Sequence, residues 1–151
     1  QAYWRLSVAS RPVLNAYAED PMGGGQPLPE DILQQLPGEL AKRPHAFSVL
    51  AFVGGEPAGL VNCFEGFSTF ACRPLVNVHD VSVMAKFRGL GLSQRMLQKV
   101  EDIARQRGCC KITLEVLEGN PVAQASYGKF GFAPGMFDPA HGRMLFWTKE
   151  L

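Results

Sequence analysis

The sequence predicts a mixed α/β domain: a central, mostly antiparallel sheet with helices on both faces and the element order β-α-α-β-β-β-α-β-α-β-β. Three observations carry this reading. Apolar residues alternate or cluster in short runs through residues 46–83, with glycine and proline between the runs, which is the pattern of strands. From Leu92 the spacing changes to Leu92, Met96, Val100, Ile103 and Ala104, a helical stripe. After Gly108 a strand-like run returns at 111–117, so strand, helix and strand form a crossover unit, expected to be right-handed with parallel strands.

Each element has its own signal. Residues 3–8 alternate as a strand, and Ser10 is placed to cap a short helix with Pro12 in its first turn. Residues 21–27 hold three glycines between two prolines and read as a loop. Pro29-Glu30-Asp31 opens a second helical stretch, which Pro37 is expected to break or kink before Lys42. Runs at 46–53 and 58–65 are joined by Gly54-Gly55-Glu56-Pro57, a hairpin signal. A third strand is expected at 76–83 after an irregular stretch from 66 to 74. The helix at 91–107 meets a capping glycine at 108. The strand at 111–117 places Cys110, Ile112, Leu114 and Val116 on one face, and Pro121 starts a helix closed by Gly131. Residues 132–148 read as two further strands around the turn Asp138-Pro139-Ala140-His141-Gly142.

Composition limits the function. A chain of 151 residues, 46% apolar and 19% charged, is the size and make-up of a single globular domain spanning 1–151. A formal charge of +1 supplies no general attraction to nucleic acid or to an anionic membrane, and neither partner is expected. No run of 18 apolar residues is present, and the start of the sequence carries no basic-then-apolar leader pattern. Cys63, Cys72, Cys109 and Cys110 form no C-x-x-C pair, and His45, His79 and His141 are scattered, so no metal site is expected. The same cysteine usage predicts reduced thiols in a cytoplasmic protein, with one of Cys109 and Cys110 buried and the other not.

The stretch from Asp80 to Ser93 carries the chemistry. A strand ends, a glycine-containing loop follows and a helix begins; the first helical N–H groups have no partners within the helix, and its dipole favours an anion. Gly89 and Gly91 allow close backbone approach, and Arg88 adds a charge, so a pyrophosphate fits. A Walker loop is excluded by the absence of its lysine, and a dinucleotide fingerprint by Gln94 where its third glycine would stand. A glycine turn that merely caps a helix is the competing reading.

Arg88-Gly89-Leu90-Gly91-Leu92-Ser93 resembles the [QR]-x-x-G-x-[GA] loop of the GCN5-related N-acetyltransferases, with Ser93 in place of the usual glycine or alanine. Asn120-Pro121-Val122-Ala123-Gln124-Ala125-Ser126-Tyr127-Gly128-Lys129-Phe130-Gly131-Phe132 is similar to their second pattern, N-x-x-A-x-x-x-Y-x-x-x-G-F. The resemblance covers about residues 76–132 and implies that family's fold, with acetyl-CoA as co-substrate. It implies a pyrophosphate held by Arg88, Gly89, Leu90, Gly91, Leu92, Ser93 and Gln94, and a pantetheine arm lying along Val81, Ser82 and Val83 with a carbonyl-polarising N–H near Val81. Asn120 either contacts the pantetheine or caps the next helix, and Arg95 or Lys99 would reach the 3′-phosphate. Tyr127 would be the general acid for the leaving thiolate, against the bland alternative of a helix tyrosine packed on the sheet.

Upstream, Phe64-Glu65-Gly66-Phe67-Ser68-Thr69-Phe70, then Arg73-Pro74 and His79-Asp80, is similar to the spermidine/spermine and thialysine acetyltransferase branch, with His79 where that branch has Glu. His79 and Asp80 are the candidates for amine deprotonation, directly or through water, and strand alternation is expected to put them on opposite faces. Glu65 either attracts a cationic substrate or is a solvated strand end, and Phe64, Phe67 and Phe70 either wall the acceptor site or fill the core. The resemblance thus implies acetyl transfer to a primary amine of a small molecule: a diamine, an amino acid or an aminoglycoside-like compound. A protein or peptide N-terminus and a non-catalytic acyl-CoA sensor are the alternatives. The resemblance also allows a homodimer, and Phe146 and Trp147 suit either its interface or the core.

Overall fold

A computed structural model of the chain describes residues 2–3, 11–135 and 138–151. The elements run β1 (Ala2–Tyr3), α1 (Arg11–Glu19), α2 (Glu30–Ala41), β2 (Ala46–Val53), β3 (Glu56–Ser68), β4 (Arg73–Val83), α3 (Leu92–Gln106), β5 (Ile112–Leu114) and α4 (Pro121–Phe130). The expected first strand at 3–8 and the Ser10 cap lie largely outside the described residues; Ala2 and Tyr3 pair with Ala51 and Leu50. The sheet order is β1-β2-β3-β4-β5, antiparallel through β4, with β4 and β5 parallel and joined through α3. The sheet is therefore mixed and mostly antiparallel, as the sequence predicts.

Helices cover both faces. Against one face, Leu92, Met96, Leu97, Val100 and Ala104 of α3 pack on Phe47, Val49, Val61, Cys63, Val76 and Val78. Against the other, Val13 and Leu14 of α1 and Leu33 of α2 pack on Leu50 and Leu60. Each fully buried aliphatic side chain contributes about 1.5–3 kcal/mol of burial free energy, so these two clusters fix which face each helix takes. Gly54 and Gly55 both have positive φ (56° and 81°), the conformation that a two-residue hairpin turn requires. Gly108 (φ 72°) and Gly131 (φ 119°) close α3 and α4 as expected.

Four expectations are corrected. Pro37 does not break α2, which continues to Ala41: the ring removes one helical hydrogen bond, that to the Leu33 carbonyl, and the turns on either side persist. Strand β5 spans three residues where seven were expected: its parallel pairing with β4 stops at Val78, although β4 itself continues to Val83. Cys109 and Cys110 are both half-buried instead of splitting one in, one out. The two final strands are absent among the described residues: after a short 3-10 turn at Pro139–His141 the chain has no regular structure, and Phe146 and Trp147 are each 84% exposed. Apolar patterning there mimics a strand, but the segment pairs with no strand among the described residues, and propensity alone makes no strand.

One irregularity governs the site. Asn62 of β3 faces Asp80, whereas Cys63 faces Val78, so His79 is the extra residue of a β-bulge in β4. Because of it, Val76 and Val78 before the bulge and Val81 and Val83 after it all pack toward α3. Among the described residues, no helix is long and apolar enough to cross a membrane, and no cluster of three His, Cys, Asp or Glu could hold a metal ion.

Gly23, in the turn after α1, leaves no room for a side chain: a methyl group there would collide with the Tyr17 carbonyl. Gly23→Ala is expected to lower stability by about 1–3 kcal/mol, read as a fall in urea midpoint with unchanged slope.

Candidate active site

Beyond Val78, strand β4 keeps β3 on one side and has no strand on the other among the described residues. A cleft opens there with two lobes. One, of about 400 Å³, lies toward α1 and is lined by Tyr17, Glu19, Asp20, His79 and Glu115 among others. The second, of about 460 Å³, lies over the loop before α3 and is lined by Gly89, Gly91, Leu92, Ser93 and Ser126. Asp20, Val81, Val83, Arg88, Asn120, Ala123 and Tyr127 line both lobes, so they stand where the two meet.

The second lobe has the form of an anion site. Gly89 (φ 81°) and Gly91 (φ 75°) hold backbone conformations that side chains resist, and a Cβ at either would meet nothing within 4 Å. The surface above them is therefore open. Gly91 precedes α3 and supplies no capping side chain, so the first-turn N–H groups of Leu92, Ser93 and Gln94 are without a side-chain cap. Arg88 stands over the loop with its Nε donating to the Val83 carbonyl (3.3 Å) and an Nη 3.7 Å from Asp20. Arg88 is largely exposed and Asp20 partly so, and at 3.7 Å the pair contributes little. Ser93 Oγ meets Ser126 Oγ at 3.2 Å, and Gln94 Nε2 donates to the Ser126 carbonyl at 2.8 Å, tying the first turn of α3 to α4. These residues fit a phosphate-bearing cofactor. Leu90 is exposed and does not line the cleft, and the Gln94 side chain is taken up by Ser126.

Asn120 caps α4: its Oδ1 accepts from the Ala123 N–H at 3.2 Å. Tyr127 lies seven residues on, and the end of the helix holds its ring. Gly131 turns the chain back, the Phe132 N–H donates to the Tyr127 carbonyl (3.0 Å), and the Phe132 ring meets the Tyr127 ring edge-on at 6.0 Å. Burial raises the Tyr127 phenol above its ordinary pKa, so it stays protonated through the neutral range.

The lobe toward α1 departs from expectation. Asn62 and Phe64 are two apart on β3 and share a face. The His79 ring packs edge-on against Phe64 (5.3 Å), and Asp80 accepts from Asn62 Nδ2 (3.0 Å). The bulge thus puts His79 and Asp80 on the same face of the sheet, not on opposite faces. His79 lines the lobe and is exposed; Asp80 sits behind the lining, beside Tyr17, whose phenol its charge pushes up. Glu65 is not in the cleft: it pairs with Arg107 (3.3 Å), whose guanidinium lies over the Phe47 ring. Phe67 and Phe70 are exposed at the β3–β4 hairpin and wall neither cleft nor core. The Cys63 thiol, buried in the α3-facing core, is pushed far up by desolvation and is inert.

Sequence reasoning missed Tyr17, Glu19 and Asp20 of the α1 region and Ser126 of α4. A tyrosine followed by two acids at the end of an amphipathic helix was the available signal, but nothing local says that this helix end meets a strand some sixty residues away.

Comparison with known proteins bears on the family and the fold. A family model described as the acetyltransferase (GNAT) family matches residues 11–132. The thialysine N-epsilon-acetyltransferase of Caenorhabditis elegans is 33% identical over 86 residues, 57% of this chain and 52% of that relative. The chain spans about half the length of the curated thialysine relatives it matches. Among solved structures, a probable acetyltransferase superposes with a TM-score of 0.82 at 20% identity over 99% of each chain. An aminoglycoside N-acetyltransferase in complex with coenzyme A superposes with a TM-score of 0.76 at 18% identity, over 99% of this chain and 95% of that one. Likeness at these identities shows the fold.

The Tyr17 phenol is pushed up to about 12, first by burial and then by the charge and hydrogen bond of Asp80. In the unfolded chain it ionises near 10, so its contribution to stability is complete below pH 10 and is lost as pH rises toward about 12. Tyr17→Phe should remove that part of the alkaline loss, measured by urea melts at neutral pH and above pH 10.

Proposed function

The chain belongs to the acetyltransferase (GNAT) family, and on that premise we propose that it transfers an acetyl group from acetyl-CoA directly to a primary amine of a small, cationic molecule. The observation that carries this reading is the position of Tyr127, which lines both the phosphate-fitting lobe and the acidic lobe. Acetyl-CoA supplies an acetyl group on a thioester; the C–S bond breaks, a C–N bond forms, and the departing sulfur needs a proton.

The residues divide this work. The uncapped N–H groups of α3 and Arg88 hold negative charge, and the free edge of β4 at Val81–Val83 offers backbone groups to an amide-bearing arm. Glu19, Asp20 and Glu115 line the lobe toward α1, and Asp80 lies behind it, so this side favours a positively charged amine. A cation must lose one proton before its nitrogen can attack. His79, exposed at the lobe and steadied by Phe64, takes that proton directly or through water. Tyr127, kept protonated by burial, gives its own proton to the sulfur. Tyr127 must enter this step protonated, and burial of its phenol meets that need.

The test is release of free thiol from acetyl-CoA against diamines, thialysine-type amino acids, aminoglycosides and a peptide with a free N-terminus. Turnover with small cationic amines and little with the peptide supports the reading. Acetyl-CoA binding without turnover on any amine would favour a sensor. Tyr127→Phe is expected to lose about 10²–10⁴-fold in turnover while its affinity for acetyl-CoA, measured calorimetrically, stays within about twofold of the unaltered protein.

A further inference from the structure

Helix α4 carries Tyr127 yet buries no side chain completely. Its inner face is Ala123, Ser126, Tyr127 and Phe130, half-buried positions three and four residues apart. Tyr127 and Phe130 rest on the α3-facing core. Apolar contact of this kind holds a helix down but has no direction, so it does not fix where the helix stands along its own axis. Asn120 and Gln124 tie α4 to itself and to the loop before it, not to α3.

Ser126 supplies the missing reference. Gln94 Nε2 donates to the Ser126 carbonyl at 2.8 Å and to Ser126 Oγ at 3.2 Å, and Ser93 Oγ lies 3.2 Å from the same Oγ. The direction is fixed by chemistry: a carbonyl only accepts, so Gln94 must present its NH₂. Gln94 stands in the first turn of α3, the turn whose N–H groups fit a phosphate, and Ser126 immediately precedes Tyr127. Ser93 and Ser126 line the phosphate-fitting lobe and Gln94 does not, so the Gln94 side chain acts on α4 and not on the cleft. Helix pairing alone does not need a glutamine, because an apolar residue of the same length would pack there without desolvating an amide. A hydrogen bond adds a set distance between the two helices.

We infer that Gln94 is a positioning residue for the general acid: by holding Ser126 it sets where Tyr127 stands relative to the phosphate-fitting turn. This rests on the amine-acetyltransferase reading above. Phe132 meets the Tyr127 ring from beyond the helix end, and Gln94 fixes the residue before it, so the phenol is held from both sides. The cofactor and the acid that protonates its sulfur are thereby both referred to the first turn of α3.

The test is steady-state kinetics and acetyl-CoA calorimetry of Gln94→Met, Ser126→Ala and Tyr127→Phe with a small diamine as acceptor. Gln94→Met keeps the backbone N–H and the length of the side chain and loses only the donor. It is expected to lower kcat about 10–100-fold, with acetyl-CoA affinity and the amine KM within about twofold of the unaltered protein. Ser126→Ala retains the carbonyl and should show the same selectivity more weakly. In the Tyr127→Phe background Gln94→Met should change kcat by less than about twofold, because the two act on one proton transfer. A kcat for Gln94→Met within about twofold of the unaltered protein, a parallel loss of acetyl-CoA affinity, or an undiminished loss in the Tyr127→Phe background overturns the inference. If the unaltered protein acetylates no amine, the functional reading fails instead, and the tie is then judged on the Tyr127 ring resonances. Gln94→Met shifts them, and the matched change one turn on at an exposed site, Gln98→Met, does not; equal behaviour of the two variants overturns it.

Discussion

The structure depends on how briefly β4 and β5 run together. Their parallel pairing lasts from Val76 to Val78, and beyond that point, among the described residues, β4 has a strand on one side only. Parallel neighbours must be joined by a crossover, and α3 is that crossover, so its N-terminus is delivered beside the end of β4. An open strand edge and an uncapped helix start, a few residues apart in sequence, thus come to face one cleft. Longer β5 pairing would close the edge that the proposed chemistry uses.

The His79 bulge adds the second half of the site. Without it, strict alternation would continue Val76 and Val78 into Asp80 and Ser82 on the α3 face, burying a carboxylate among Met96 and Val100. The extra residue returns Val81 and Val83 to the core and turns Asp80 toward Asn62 and Tyr17. A single inserted residue therefore keeps the core apolar and makes the opposite face polar. That polar face is where α1 contributes Tyr17, Glu19 and Asp20, so a helix far away in sequence becomes one wall of the cleft.

What the sequence made legible was local. Gly89, Gly91, Asn120 and Gly131 announce their roles because a left-handed turn or a helix cap is decided within a few residues. The stripe Leu92–Met96–Val100 likewise specifies α3 and its buried face. The bulge was not legible, since register is set by which residues of β3 oppose β4, and so His79 and Asp80 were expected on opposite faces. Tyr17 was missed for the same reason, as its partner Asp80 lies far along the chain. Residues 143–147 misled in the other direction: Met144, Leu145, Phe146 and Trp147 have a strand's composition yet stand exposed, because β-propensity records fitness for a pleated surface and not the presence of a neighbour.

The central claim is that the lobe over Gly89–Ser93 and the free edge of β4 together bind a phosphate-bearing acyl thioester. Calorimetric titration of the protein with acetyl-CoA, ATP and NAD tests it most directly. Saturable binding of acetyl-CoA, with ATP and NAD far weaker, is the predicted result. Equal binding of the nucleotides, or none by acetyl-CoA, would contradict it.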